Sequence, residues 1–592
     1  MYFSDDELVV VSATRSLKSI TRIAENVEVV TKEDIELMNA HTVADVLNTV
    51  NGVQVRIDAG PGSGSYLSIQ GSDSRHVAVF MDGILINDFT TNYAETNRIP
   101  VQMVEKIEII KGPASSSWGS SLGGVVNIIT KSGAEQMRSG GTFSGSFGEN
   151  TFVDSRAEFY GKKENTGYYL SAGRMQADGF NRLVNHNGNG LSDIYLKLSQ
   201  DISKDSQIIF TTFYSKGQGE WTYPNLGYFA RPDTENLFAT LTLNTAVGKD
   251  MKLSISGRSL IRDFSQPQLY DDGSFYKFDS KDTSGGGSVR LTWNVEGHTV
   301  VVGSDYDSGL LKTHETDVDD VRARTEKWAV YANDTISFGK LTVTPGIRFD
   351  RDSIVGDFVS PSFGMTYDLY EKTVLRAFVA RGFNSAQVVA SIDTIPYGYK
   401  GNPDLIPEEV ISYQLGIETG LLKYLWLKVS AFRHDIKDGI VQEIIENDPV
   451  YSWTQVNKGR LRRQGVEAEM RTIPFYNFTI SAGTTVISTK DRDTDETLQD
   501  IPTSTVDLKV KYDDKKSLRA LVIGHYIWWN STRPGSYNSM IVDANVIRKI
   551  YKYEGRAAEL FLTGHNLCDG QQRQSRFTTP GRWFEAGVRF KF

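Results

Sequence analysis

From about residue 138 onward, apolar and polar residues alternate one by one along most of the chain. Successive side chains of a β-strand point to opposite faces, so this alternation predicts strands with one apolar and one polar face. In 153–159, Val153, Ser155, Ala157 and Phe159 oppose Asp154, Arg156 and Glu158. In 341–350, Leu341, Val343, Pro345, Ile347 and Phe349 oppose Thr342, Thr344, Arg348 and Asp350. In 506–511, Val506, Leu508 and Val510 oppose Asp507, Lys509 and Lys511, and 425–431, 466–471 and 558–563 repeat the pattern. In 583–592, Phe584, Ala586, Val588, Phe590 and Phe592 share the apolar face. Short connections (Ser203–Asp205, Gly248–Asp250, Phe338–Lys340, Asp513–Lys516) alternate with long ones near 217–235, 265–282, 311–325, 384–408, 489–502 and 568–581.

Between Gly140 and Phe592 the pattern accommodates about 22 strands. An even number of antiparallel strands, with short turns at one end and long loops at the other, is the outer-membrane barrel architecture. In hydrocarbon every backbone N–H needs a partner, and a closed barrel leaves no edge. A set of soluble sandwiches or a propeller shares the period, but would show linkers or blade repeats and an apolar interior. Here the charged face recurs in strand after strand, which a polar lumen tolerates and a small sandwich core does not.

Residues 1–137 read as mixed α/β. Thr31 with Asp34, and Thr42 with Asp45, have the spacing of helix-capping boxes, and Asn51-Gly52 is a stop. Apolar runs follow at Val77–Phe80, Ile84–Ile86, Val104–Ile110 and Val125–Ile129, with Asp82-Gly83 as a hairpin turn. A barrel this wide has a lumen that needs filling. The fold class expected is therefore all-β transmembrane: a 22-stranded antiparallel outer-membrane β-barrel over 138–592, with an α/β plug domain over 16–137 inside the lumen.

Composition narrows the function. The chain has 592 residues, a net charge of −9 and one cysteine, Cys568. The acidic balance excludes a broad basic nucleic-acid face, and the cysteine count excludes a disulfide scaffold or cysteine-ligated zinc and iron–sulfur centres. No apolar run is long enough for a transmembrane helix. The first thirty residues lack a basic segment followed by an apolar one, so the chain reads as a mature form or one without an export signal.

Several stretches resemble TonB-dependent outer-membrane receptors: 6–15 (DELVVVSATR), 67–71 (LSIQG), 79–84 (VFMDGI) and 107–120 (IEIIKGPASSSWGS), the last continuing into 123–130 (GGVVNIIT). In the barrel, 401–408 (GNPDLIPE) and 566–569 (NLCD) also resemble family segments, with Cys568 where the family usually has Phe, read as packing variation. The resemblance implies energised import across the outer membrane of a Gram-negative bacterium, with TonB and its ExbB/ExbD complex as partners. It implies an outer-membrane lipid and lipopolysaccharide environment, a metal-chelate ligand, a monomer and no enzyme activity. The aromatic end of the last strand then matches what such barrels present to their insertion machinery. Residues 1–15 would form the TonB-interacting segment. Asp6, Glu7, Leu8, Val9, Val10, Val11, Ser12 and Ala13 would pair as an added strand with the partner's sheet edge, the alternative being a disordered tail.

The resemblance also implies a ligand-facing plug apex and loops. On the plug these are Ser63, Ser65, Tyr66, Asn87, Phe89 and Tyr93, with the 60–66 stretch otherwise a flexible connector. In the loops, Trp221, Tyr223, Tyr228, Phe229, Tyr397 and Tyr399 offer contact area at low entropic cost. Trp528 and Trp529 read equally as loop contacts or as interfacial girdle.

Other chemistries find little support. Gly112–Gly124 lacks the Lys-Ser/Thr end of a phosphate loop, and 491–502 lacks the Gly and Glu of an EF-hand. Asp178 and Asp193 hint at a loop Ca²⁺ site, against a solvated acidic loop. The eight histidines are scattered, and no pair has HExxH spacing. A passive porin would lack the plug. For the cargo, length and plug motifs, including 74–77 (SRHV), resemble the vitamin B12 receptors, with ferric-siderophore receptors as the alternative. Haem fits less well, since Arg381-Gly382-Phe383-Asn384 departs from the FRAP motif and 381–405 holds no histidine to act as axial ligand.

Overall fold

A computed structural model describes every residue except 1–8, 58–59, 61, 89–91, 134–138, 179–187, 224–226, 392–398, 446–452, 500, 531–537 and 575–576; for 221–223, 318–319, 573–574 and 577–578 it describes the backbone alone. Antiparallel strands close into a barrel that begins at Gly140–Gly148 and is sealed when Trp583–Lys591 pairs with that first strand and with Arg556–His565. The short hairpin Trp221–Tyr223 and Tyr228–Ala230 stands on the rim, because Ser206–Gln218 pairs directly with Asp233–Val247 beneath it. Setting that hairpin aside, the circuit has 22 strands.

The alternation sorts inside from outside as the sequence implies. Ile194, Leu241, Ile347, Leu415, Val486 and Val588 are all more than half exposed on the outer surface. The adjacent Asp193 and Arg348, and Glu585 on the same strand as Val588, are buried toward the lumen. Exposed aromatics form two rows. Phe338, Tyr370, Tyr424, Tyr476 and Tyr553 sit at the short turns. Tyr214, Tyr306, Trp328, Tyr413 and Trp528 recur about nine residues further along their strands, the length that crosses hydrocarbon. Trp528 thus belongs to the girdle, whereas the neighbouring Trp529 faces the lumen.

Two expected long loops are corrected. Met251–Tyr270 and Phe275–Val295 continue as one ladder up to a short turn, and His298–Glu315 meets Val318–Phe338 across Thr316-Asp317. Above the bilayer no face needs to be apolar, so the periodic signal fades while the hydrogen-bond ladder continues. Charge pairs such as Lys281–Asp263 (2.9 Å) replace it.

The N-terminal domain fills the lumen. Its sheet runs in the order Asn26–Thr31, Val104–Lys111, Gly124–Thr130, Val77–Met81, Ile84–Leu85, beside a hairpin of Val53–Ile57 with Ser65–Ile69. Helix Lys32–Met38 starts at Thr31, whose hydroxyl accepts from the Asp34 N–H (3.4 Å). Helix Val43–Leu47 starts at Thr42, whose N–H donates to Asp45 Oδ2 (2.9 Å). The turn at Asp82 and Gly83 has φ of 47° and 86°, as the hairpin reading requires. Gly124, at φ 146°, lies so close to the neighbouring strand that a Cβ would meet the Ile110 carbonyl oxygen at 2.5 Å.

Candidate functional site

The functional region is the boundary between plug and barrel, which has two unlike kinds of contact. On one side a row of inward aromatics, Tyr169, Tyr195, Phe213 and Phe238, crosses adjacent strands and joins the apolar core of the plug. Their ring centroids follow one another at 5.9, 6.5 and 5.2 Å. Here the barrel meets the plug through apolar rings, although its lumen face is otherwise rich in charge. Next to this row, from the same strands and on around the wall, the boundary is charged. A cavity of about 470 Å³ lies there between the plug residues Arg15, Phe80 and Trp118 and the barrel groups Arg258, Arg290, Asp305, Lys327 and Arg348.

Polar anchors join the two bodies elsewhere. The buried Lys111 ammonium lies 2.9 Å from Glu28, 3.3 Å from Glu467 and 3.4 Å from Glu469. Burial alone would drive its proton off, but the three carboxylates hold it on well above the usual lysine range. Glu408, from the 401–408 stretch, is buried and accepts from Arg75 (2.9 Å), His76 (2.8 Å) and the Ile440 N–H (2.8 Å). That stretch therefore couples a barrel strand to the plug.

The stretch expected to pair with TonB is docked. Asp6, Glu7 and Leu8 lie outside the described residues. Val9–Val10 pairs with Lys18–Ser19, and the N–H groups of Val11 and Ser12 donate to Glu108 Oε2 at 3.0 and 2.9 Å. Val10 and Ala13 are buried against Ile23, Phe80 and Trp118. Val9, Val10, Val11, Ser12 and Ala13 thus lie against the folded plug and are not a disordered tail: Glu108, far along the sequence, takes up the backbone donors of Val11 and Ser12.

At the opposite, long-loop end, Tyr66 and Tyr93 come together, half-buried, with ring centroids 5.5 Å apart. The Arg56 guanidinium lies 4.3 Å over the Tyr66 ring. Burial first, and Asp73 second, push the Tyr93 phenol up to about 12, so it stays a hydrogen-bond donor at neutral pH. The remaining apex residues have other employment. Asn87 spends its amide on Val77, Val79 and Asn92 of its own loop. Ser63 Oγ donates to the Gly60 carbonyl, and Ser65 Oγ accepts from the Asn97 N–H, both buried. These three are corrected from ligand contacts to supports of the loop. Phe89 and Tyr397 lie outside the described residues, and Trp221 and Tyr223 are described by backbone alone.

Tyr228 and Phe229 sit half-buried on the rim hairpin, Tyr228 packing on Tyr270 at 5.3 Å. Tyr399 is corrected to a packing residue: it is buried, donates to the Ala390 carbonyl (2.7 Å) and packs on Trp453. Cys568 is exposed, so packing does not account for it.

Asp178 and Asp193 do not form a pair for Ca²⁺. Asp193 lies within a strand opposite Gly173 and accepts from Gln102 (2.8 Å), whereas Asp178 stands beyond the strand end and accepts from Thr151 (2.7 Å). Among the described residues the group placed to hold a metal is His41, His565 and Glu585, which sequence spacing could not reveal.

The family model described as "TonB dependent receptor-like, beta-barrel" matches residues 132–567, and that of the "TonB-dependent Receptor Plug Domain" matches 19–125. The chain is 25% identical to a vitamin B12 transporter BtuB of Vibrio vulnificus over 78% of its own length and 75% of the relative's. It is 22% identical to that of Photobacterium profundum over 78% and 76%. Solved structures with the same fold include the siderophore receptor PirA of Acinetobacter baumannii (TM-score 0.76, 18% identity, 96% and 98% covered). They also include a mutant of the ferric enterobactin receptor PfeA of Pseudomonas aeruginosa (TM-score 0.80, 18% identity, 97% and 99% covered). With a sealed 22-strand barrel, a plug in its lumen and both family models matched along most of its length, the chain belongs to the TonB-dependent receptors of the Gram-negative outer membrane.

Proposed function

We propose that the protein imports a scarce, bulky metal chelate, a corrinoid of the cobalamin class, drawing its energy through TonB and the ExbB/ExbD complex. The observation that carries this reading is the match to vitamin B12 transporters across about three quarters of both chains. The apex is compatible with it. Arg75 is neutralised by Glu408 and Asp73, which leaves the Tyr66–Tyr93 pair as an aromatic surface bearing phenol donors. Such a surface suits a large, amide-rich cargo of low net charge.

A ferric siderophore is the second reading, supported by the fold shared with PirA and PfeA and by Arg56, a cation over the Tyr66 ring that an anionic chelate would use. The passive-porin alternative is disfavoured by the domain that occupies the lumen.

Transport requires the plug to yield. The wet, ion-paired contacts around the cavity are the ones that yield, and the aromatic row is the part of the boundary that holds, because desolvated rings resist separation more than wet polar contacts do. Residues 1–15 are the segment that TonB takes. Binding of cyanocobalamin measured beside a panel of ferric chelates tests the cargo. Tight binding of the corrinoid supports the assignment; tight binding of an iron chelate with none of the corrinoid reverses it.

A further inference from the structure

Three strands and one plug turn converge on a cluster for which import has no evident need. His41, just ahead of the Val43–Leu47 helix, places Nδ1 2.6 Å from Asp154 and Nε2 2.8 Å from Glu585. His565 places Nε2 3.1 Å from the same Glu585 oxygen. The nearest ligand atoms of His41, His565 and Glu585 all lie within 4.8 Å of one another. The rings are held by packing: His565 stacks on Trp583 at 4.0 Å and 11°, and His41 meets Phe152 edge-on at 4.9 Å.

The Glu585 carboxylate is 1% exposed, and its two oxygens are used unequally. Oε1 takes His41, His565 and Asn39, whereas Oε2 is buried with no hydrogen-bond partner. His41 and His565 also line a cavity of about 260 Å³ that includes Asp543, so an ion has both a route in and a further anion nearby.

We infer that His41, His565 and Glu585 form a binding site for a divalent transition-metal ion, zinc or a close analogue, that staples the plug to the barrel wall. Two imidazoles and a carboxylate are a donor set that such ions favour over calcium or magnesium. Tetrahedral zinc holds its ligand atoms roughly 3.2–3.5 Å apart, so each imidazole need part from Glu585 by only a few tenths of an ångström while the two imidazoles, within 4.8 Å, draw together. Asp154 beside Nδ1 of His41 is the carboxylate that orients a ligating imidazole and fixes Nε2 toward the metal. Arg156 bonds to Asp154, approaches the same Nδ1 at 2.6 Å and adds a positive charge, which Asp154, Glu585 and Asp193 offset. One ligand comes from the plug and two from the barrel, so the ion stabilises the plugged state by mass action.

The experiment uses the full chain in detergent, stripped with a chelator and titrated with Zn²⁺ and Co²⁺. The expected result is one ion per chain, a visible d–d spectrum for cobalt, and a higher unfolding temperature with zinc. Substitutions Glu585→Gln and His565→Ala are expected to weaken zinc about 100-fold or more, and Asp154→Asn about 10- to 100-fold. Glu585→Gln keeps the shape of the side chain, and an unchanged β-sheet circular dichroism spectrum confirms folding. Absence of a stoichiometric ion, or zinc binding that survives both ligand substitutions, overturns the inference and leaves an imidazolium bridging two carboxylates. The site does not depend on the cargo, so its failure would leave the transport reading untouched.

Discussion

Arg15 of the plug donates through Nη1 to both carboxylate oxygens of Asp305 on the barrel, each at 2.9 Å. Its guanidinium lies 4.5 Å from the Trp118 ring and 4.6 Å from the Tyr331 ring. Arg15 lies two residues beyond the docked Val9–Ala13, so this contact holds that stretch in place. Replacing Asp305 by Asn leaves a buried cation without its counter-charge, a change worth roughly 3–5 kcal/mol. A nitroxide placed at Val9, after Cys568 is changed to Ser, is expected to sharpen its spectrum in D305N. An unchanged line shape would remove Asp305 from this role.

Glu108 is the second restraint. Glu108→Ala strands the N–H groups of Val11 and Ser12, each loss worth about 1–3 kcal/mol. Hydrogen exchange at those two amides should accelerate at least tenfold, while exchange in Val104–Lys111 itself stays slow.

Deleting residues 6–13 is expected to abolish uptake by cells while surface binding of the cargo stays within about twofold, because the apex lies at the other end of the plug. Uptake that persists in the deletion would show that TonB engages elsewhere.

At the apex, Tyr66→Ala and Tyr93→Ala should each weaken cargo binding roughly 3- to 10-fold, the scale of an aromatic contact. Asn87→Ala should instead lower thermal stability, because it strands two backbone carbonyls and the Val79 N–H. Equal binding losses for all three would place Asn87 in direct contact with the cargo.

Removing the Lys111 charge tests the plug anchor. Lys111→Met leaves Glu28, Glu467 and Glu469 facing one another, and the plug should release in less urea than in the parent. Ion conductance of single channels in planar bilayers during a urea series reads this directly.

Much of this architecture is legible in the chain, and the illegible part has a common cause. Alternation exposes the strands because lipid on one side and a polar lumen on the other impose a period of two, as at Asp154 beside Val153 and Arg348 beside Ile347. Helix starts at Thr31 and Thr42 are local chemistry and equally visible. The hairpins around 271–274 and 316–317 escape because the lipid constraint ends below them. The site escapes for a different reason. Glu108 meets Val11 only once the plug has folded, and His41 meets His565 and Glu585 only once the barrel has closed around it. The aromatic row hides because Tyr169, Tyr195, Phe213 and Phe238 occupy lumen positions one strand apart, and nothing within a single strand marks them as a set.

The seam between Gly140–Gly148 and Trp583–Lys591 constrains biogenesis. Those two strands lie at opposite ends of the barrel sequence, so the cylinder stays open until the latter arrives. Glu585 on that final strand meets His41 of the plug. One strand therefore does two things, completing the hydrogen-bonded wall and touching the domain inside it, so sealing the cylinder and seating its occupant are physically coupled.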